Sequence, residues 1–272
     1  MTRKKRRNIL ESVSTLQLLW GLAFLVLFII ILYFLSPSIR IWQARHSPVI
    51  FPLGTVRGID VSHYQGEIDW DEVAQSDLDG DPVAFAFIKA TEGKTILDEY
   101  FMYNFSEAHK NNIIRGAYHV FSSKSSAQEQ ADFFCNVVDL KVRDLFPVLD
   151  IETLGRYSPK ELREGVLDWM NIVERHFGVT PILYTSYSFK KDYLSGPEFD
   201  KYPYWIAHYY VSELEYQGKW MFWQHTDNGE LNGIKGLVDI DVFNGSFSDL
   251  MCLTITKDHI KAKENRKGYK HW

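Results

Sequence analysis

The chain has 272 residues, 46% hydrophobic and 15% aromatic, with 30 Lys plus Arg against 35 Asp plus Glu and a formal charge of −5. That composition excludes a disordered chain, and the length fits one large domain or two small ones. Residues 3–7 are all basic and residues 257–272 hold six basic and two acidic side chains, so the body between them carries about −14. Such a body offers no Lys/Arg cluster to a phosphate backbone, so nucleic acid is not an expected partner.

From Leu18 to Leu35 no charged or strongly polar residue interrupts the run LLWGLAFLVLFIIILYFL. A helix of that length rises about 27 Å, near the hydrocarbon thickness of a bilayer, and it is apolar on every side. A buried core helix and a cleaved signal peptide are the alternatives. A signal peptide has a shorter apolar region and a small-x-small site, which Ser36-Pro37-Ser38-Ile39-Arg40 does not supply. The expectation is therefore one uncleaved transmembrane anchor over 18–35. Five basic residues precede it and only Arg40 and Arg45 follow closely, which puts segment 1–17 in the cytoplasm and the rest outside it. Residues 36–55 lack helical or strand periodicity and read as a tether. Residues 251–272 read as a basic tail, frayed and solvated after about 257.

Within 56–250 short apolar runs recur between turn residues: 56–60, 83–89, 113–119, 146–151, 181–185, 204–208, 220–225 and 238–243. Several are apolar on both alternating faces, as expected of parallel strands covered on both sides. Helical patterns lie between the early runs. Residues 98–110 put Phe101, Phe105 and Ala108 on one face, with Asn111 and Asn112 suited to the left-handed turn that ends a helix. Residues 125–138 form a second pattern. Ser158-Pro159-Lys160-Glu161 opens a third with a capping Ser, Pro at the first helical position and Glu three after the cap, and Gly178 stops it. After 208 the gaps shrink to about a dozen residues, too few for full crossover helices. The expected fold class is α/β, a (β/α) barrel with an incomplete outer helix ring.

Three of these runs carry clustered acids: Asp60 in the first, Asp150 and Glu152 in the fourth, Asp239 and Asp241 in the eighth. Alternation sets Asp150 and Glu152 on one face. In a barrel, the C-terminal strand ends converge on one mouth. Acids gathered there raise one another's pKa, so that one stays protonated while others are charged. Glycoside hydrolysis needs that pairing: an acid for the leaving oxygen and an anion beside the oxocarbenium centre. A lone strand-end Asp commonly caps a helix or pairs on the surface. Three acid-loaded strands among apolar neighbours, with Tyr64, Tyr118, Tyr184, Trp205, Tyr209 and Trp223 nearby, favour a site. No Cys/His spacing or dense Asp-x-Asp-x-Asn-Gly loop suggests a metal, and no cofactor is expected. Cys135 and Cys252 are the only cysteines, and sequence leaves open whether they pair.

Asp60-Val61-Ser62-His63-Tyr64-Gln65-Gly66, Phe87-Ile88-Lys89-Ala90-Thr91-Glu92-Gly93, Gly116-Ala117-Tyr118-His119, Asp150-x-Glu152 and Trp223-Gln224 followed by Val238-Asp239 resemble the glycoside hydrolase family 25 lysozymes, in the family's order over about 57–247. The resemblance implies a barrel short of some outer helices. It implies cleavage of the β-1,4 bond between N-acetylmuramic acid and N-acetylglucosamine in peptidoglycan glycan strands. By position Glu152 resembles the general acid and Asp150 the carboxylate that supports the reacting 2-acetamido group. Asp60 and Asp239 resemble the remaining acids of the catalytic cluster. Lys89, Tyr118, Tyr184, Trp205 and Gln224 match positions lining the groove, and Asp241 is assigned to the substrate-binding set. Asp241 also competes with Asp239, because alternation puts both on one face. Lys89 is expected to keep several carboxylates ionised, and Glu92 to be either a site residue or a salt-bridge partner. Acetamido-assisted retention is the expected mechanism, with inversion by an activated water left open. The alternative function is a non-catalytic peptidoglycan-binding barrel. The expected setting is a bacterial cell membrane, with a monomeric barrel (56–250) on its periplasmic or extracellular side.

Overall fold

The computed structural model describes residues 15–45 and 49–268, with side chains described over 17–32 and 49–263. Positions 1–14, most of the expected cytoplasmic segment, lie outside the described residues, as do 46–48 and 269–272. Residues Met1–Pro48 and Val49–Trp272 are two compact units.

The first unit contains one helix, α1 (Thr15–Arg45). It continues through Ser36-Pro37, so the expected tether is helical as far as residue 45. Helix propagation adds a bond per residue once nucleated, and a single Pro removes only one of them. Its described apolar side chains, from Leu18 to Leu32, are exposed. Among the described residues no helix is long and apolar enough to cross a membrane. The expected span 18–35 runs past the last described side chain of that helix, at 32.

The second unit is built from β1 (Val56–Val61), α2 (Trp70–Gln75), β2 (Asp77–Leu78), β3 (Asp81–Glu92), β4 (Ile96–Leu97), α3 (Phe101–Lys110), β5 (Ile114–Val120), α4 (Ala127–Val137), β6 (Val148–Asp150) and α5 (Pro159–Phe177). It continues with β7 (Ile182–Ser186), α6 (Tyr187–Tyr193), β8 (Tyr204–Ala207), β9 (Phe222–Gly229), β10 (Val238–Phe243), α7 (Phe247–Met251) and α8 (Lys257–Gly268). All eight expected strands are present. They close a barrel in the order β1-β3-β5-β6-β7-β8-β9-β10, with β10 returning to β1. β2 and β4 are two-residue additions to β3. β1 through β9 run parallel around the ring, whereas β10 is antiparallel to both neighbours. The short connections after β8 leave no room for crossover helices, so the outer ring is incomplete.

Local sequence sets the helix ends. Ser158 accepts from Glu161 N while Glu161 Oε2 accepts from Ser158 N at 2.8 Å, and Gly178 closes α5 in the left-handed region at φ 80°. Asn112 takes φ 63° just after α3. Two apolar layers result. One lies between strands and helices and includes Trp169, Phe134 and Phe177; the other fills the barrel with Phe85, Phe87, Trp205, Phe222 and Phe243. Phe87 stacks on Trp205 with centroids 4.5 Å apart.

Both flanks of the expected barrel extend further than the sequence reading gave them. Residues 49–55 pack on the barrel: Ile50 N donates to Ser212 O at 2.6 Å, and the Phe51 ring lies 5.8 Å from that of Trp223. Beyond 250 the chain stays packed. Leu250 joins the inner layer, Leu145 bridges Thr254, and Ile255 is buried. The tail is then helical, α8 packing on α5 with Lys263 Nζ 4.7 Å from the Phe177 ring centre, rather than frayed. Burial of Ile255 supplies the apolar anchor that a charge count overlooks. Cys135 and Cys252 are both free thiols.

Gly58 and Gly116 face the inner layer, where an added Cβ would lie 2.5 Å from the Phe85 ring and 2.6 Å from the Phe87 ring. Overpacking of this kind costs about 1–3 kcal/mol. Gly58→Ala is therefore expected to lower unfolding free energy by that amount in urea titrations. An unchanged midpoint would show that the inner layer is loosely packed.

Candidate active site

The barrel mouth gathers its acids because β10 runs backwards. Asp239 is the second residue of that strand, yet it pairs with Asp60 near the end of β1; Asp241 pairs with Gly58, one step deeper. Had β10 been parallel, as the sequence pattern suggested, Asp239 would lie at the opposite end. Around the ring Lys89 of β3 is level with Tyr118 of β5, Asp150 of β6 with Tyr184 of β7, and Tyr184 with Trp205 of β8. Glu152 follows Asp150 by two residues, just beyond the strand.

These side chains enclose a cavity of about 300 Å³ containing Asp60, Asp150, Glu152 and Asp239 together. Lys89, Tyr118, Tyr184, Trp205 and Gln224 line it as well. Larger hollows of about 620 and 680 Å³ lie beside α2, but neither contains any of those four acids. The chemistry belongs where carboxyls from separate strands converge. Asp241 is the one expected site residue that the cavity does not contain. It is fully buried below the cavity, its Oδ1 accepting from Trp205 Nε1 at 2.7 Å. The register places it beneath the rim, which corrects its assignment to substrate binding.

Gln224 ties the site together. Its Nε2 donates to Asp60 Oδ2 at 2.5 Å, and its Oε1 accepts from Tyr184 OH at 2.6 Å and Tyr209 OH at 2.5 Å. Only this amide orientation gives the carboxylate a donor and both hydroxyls an acceptor. Tyr184 OH also lies 3.2 Å from Glu152 Oε1. Tyr209 was noted in the sequence only as an aromatic near a strand end. Its hydrogen bond belongs to a loop whose conformation, with Tyr210 at φ 59°, no local pattern announces. Trp223, the residue before Gln224, points the other way, its Nε1 donating to His208 O at 2.9 Å.

Electrostatics divide the acids. Burial raises Asp60 well above the carboxylate range, and the charges of Asp239 and Asp241 raise it further. Burial and then Asp239 do the same to Asp241. Desolvation, followed by Asp227 and Glu152, pushes Asp239 up to about 7. Asp150 is raised by burial and by Glu152, while Lys89 draws it back. Glu152 belongs to an exposed residue at the rim, yet the walls around its carboxyl desolvate it and raise its pKa, against the Tyr184 hydrogen bond. Lys89 Nζ itself donates to Glu92 Oε2 at 2.8 Å, which makes Glu92 a salt-bridge partner outside the cavity lining.

Tyr118 points inward and its neighbour His119 outward, following strand alternation. Gln130 Oε1 accepts from Ser122 N at 2.8 Å, so it also accepts from His119 Nε2 at 3.2 Å, leaving Nδ1 to accept from Thr91 Oγ1 at 2.7 Å. Burial lowers His119 to about 3, keeping it neutral. The pair thus splits into a cavity wall and a support for the rim loop after β5. Among the described residues no group of three or more His, Cys, Asp or Glu is arranged to hold a metal ion.

Comparison with known proteins follows the same outline. The family model described as "Glycosyl hydrolases family 25" matches residues 59–234. "Uncharacterized protein YegX" of Escherichia coli O6:H1 is 45% identical over 197 residues, 72% of each chain. "Lysozyme M1" of Streptomyces globisporus is 34% identical over 213 residues, 73% of this chain and 71% of that one. The crystal structure of the bacterial lysozyme from Streptomyces coelicolor superposes with a TM-score of 0.68 at 34% identity, covering 75% of this chain and 98% of that one.

The raised acids make stability depend on pH with a definite sign. Between the unfolded carboxylate value, about 4, and the folded value of Asp239, the folded chain binds a proton that the unfolded chain does not. Stability is therefore present at low pH and lost as pH rises through about 7. The urea midpoint is expected to increase from about pH 8 to about pH 5, and Asp239→Asn, which cannot titrate, to show a shallower rise. A midpoint that falls over that window would contradict the placement of these acids.

Proposed function

The chain belongs to family 25 of the glycosyl hydrolases, and on that premise we propose that it is a peptidoglycan hydrolase cleaving the β-1,4 bond between N-acetylmuramic acid and N-acetylglucosamine. The observation that carries this reading is the convergence of Asp60, Asp150, Glu152 and Asp239 on one tyrosine-walled cavity. The lysozyme names of the relatives from Streptomyces support the same substrate.

Asp150 and Glu152 are close enough to shift each other's ionisation, so they behave as a pair that gives up its protons in two steps. Lys89 offsets part of the rise at Asp150, and in the proposed assignment the negative charge sits there and the proton on Glu152 at the open rim. In the proposed reaction Glu152 gives that proton to the glycosidic oxygen as the C1–O bond breaks. The carbonyl oxygen of the 2-acetamido group attacks C1, and the Asp150 carboxylate stabilises the oxazolinium ion. Water then adds to C1, giving its proton to Glu152, with net retention at the anomeric carbon. Tyr184 and Gln224 hold the side chains in place between turnovers.

The N-terminal helix serves in this proposal as a membrane anchor. The support is the uninterrupted apolar run from Leu18 to Leu35 with basic residues before it. The barrel then acts in the periplasm or at the cell surface, where its substrate lies.

Glu152→Gln is expected to reduce release of muramic-acid reducing ends by about 100- to 10,000-fold while leaving peptidoglycan binding intact. Binding by the parent chain without any cleavage would replace the hydrolase reading with a wall-binding role. Proton NMR of the first product distinguishes retention from inversion, and an inverted anomer would exclude acetamido assistance. For the anchor, the full chain should stay with membranes after alkaline extraction. The exposed Cys252 thiol should react with an impermeant maleimide added outside the cell membrane. Recovery in the soluble fraction would remove the anchor from the proposal.

A further inference from the structure

Asp241 lies below the cavity, fully buried, on the inner face of β10. Its Oδ1 accepts from Trp205 Nε1 at 2.7 Å. Its Oδ2 is buried and, among the described residues, receives no N–H. What the Asp241 carboxyl meets instead is the carboxyl of Asp60, its hydrogen-bonding partner on β1. Asp60 in turn has Oδ2 occupied by Gln224 Nε2 at 2.5 Å. Each acid thus has one amide or indole N–H and lies within hydrogen-bonding reach of the other acid.

Two carboxylates in contact repel, and neither has a hydrogen to offer the other. A carboxylic acid and a carboxylate, by contrast, make one strong charge-assisted hydrogen bond. The groups facing the pair supply no other remedy. Asp239 on β10 adds a further negative charge, and Tyr118 of β5, Tyr184 of β7 and Tyr209 beyond β8 are neutral hydroxyls that feel the Asp60 charge. No lysine or arginine figures among the groups acting on Asp60 or Asp241. Lys89 is committed to Glu92 and acts on Asp150.

We infer that Asp60 and Asp241 form an acid pair holding one proton between their carboxyls, and that Asp241 is thereby the positioning residue for Asp60. The pair carries a single negative charge. That charge keeps the Gln224 amide with its nitrogen toward Asp60 and its oxygen toward Tyr184, so donors converge on the pair from both sides, Trp205 Nε1 onto Asp241 and Gln224 Nε2 onto Asp60. Asp241 never touches substrate. It fixes the floor on which the reacting groups are arranged, and its part in turnover rests on the hydrolase reading above.

Asp241→Asn and Asp241→Leu test this. The amide N–H of the Asn variant stands where the shared proton stood and leaves the same net charge, whereas Leu leaves Trp205 Nε1 without an acceptor and Asp60 without the shared proton. Displacement of a supporting group by as little as 1 Å can cost about 100-fold in rate. The Leu variant is expected to lose about that factor in kcat with little change in KM, and the Asn variant to recover at least about tenfold of it. The full chain also permits a reading independent of turnover. In a Glu152→Gln background at about pH 8, above the titration of Asp239, infrared difference spectra should show a buried protonated carboxyl that disappears on Asp241→Asn. Absence of that band, or its persistence in the Asn variant, would overturn the pair. So would an Asn variant as impaired as the Leu variant. A band that behaves as expected in a chain without hydrolase activity would leave the pair standing and remove only the hydrolase reading.

Discussion

Five acids share one end of this barrel, and the cation nearest to them already has a partner. Asp60, Asp150, Glu152, Asp239 and Asp241 cannot all be ionised in such surroundings, because burial and mutual repulsion both disfavour the charged form. The remaining features of the site follow from where the protons go. Lys89 draws Asp150 back toward the charged form, against burial and the Glu152 charge. Gln224 offers its N–H to Asp60 and turns its oxygen toward two tyrosines, so a neutral amide relays the polarity of a charged group. A cluster of this kind works against folding at neutral pH, and the barrel must over-determine its geometry.

The barrel does so through its dense interior and through one reversed strand. Phe85 occupies the space that a side chain at Gly58 would need, and Phe87 the space at Gly116. The inner aromatics consequently approach the backbone of β1 and β5 directly and pin the strands that carry Asp60 and Tyr118. Reversal of β10 brings its N-terminal end to the mouth, which is why Asp239 faces Asp60 while Asp241 drops to the layer of Gly58. Two acids of identical type, two residues apart on the same face of a strand, thus acquire different surroundings from register alone.

Much of this was legible in the sequence. All eight barrel strands coincide with apolar runs, and the capping box at Ser158, the left-handed turn at Asn112 and the helix stop at Gly178 are as read. The convergence of Asp60, Asp150 and Glu152 follows from strand ends in a closed barrel. What escaped was whatever depends on direction or on distant partners. Strand polarity leaves no mark in a six-residue run such as VDIDVF, so neither the reversal of β10 nor the separation of Asp239 from Asp241 was available. Tyr209 reaches Gln224 from an irregular loop, and Ile255 exchanges backbone hydrogen bonds with Arg143 and Asp144, more than a hundred residues earlier in the chain.

Residues 49–55 carry the same lesson into the outer layer. Arg57 and Trp223 are outward-facing residues of β1 and β9, on the side where the ring of helices is missing. An uncovered tryptophan and a buried guanidinium both need company. Phe51 supplies it, with its ring 5.8 Å from Trp223, 5.0 Å from His225 and 3.7 Å from the Arg57 guanidinium carbon. A segment without periodicity therefore functions as cover, because a single ring inserted at the right place replaces a helix that the short connections cannot accommodate. Gln224 is the next residue along β9, and its inward-facing amide is the hub of the site. Its strand is consequently held from behind by the stretch of chain that reads, in sequence, as mere connection.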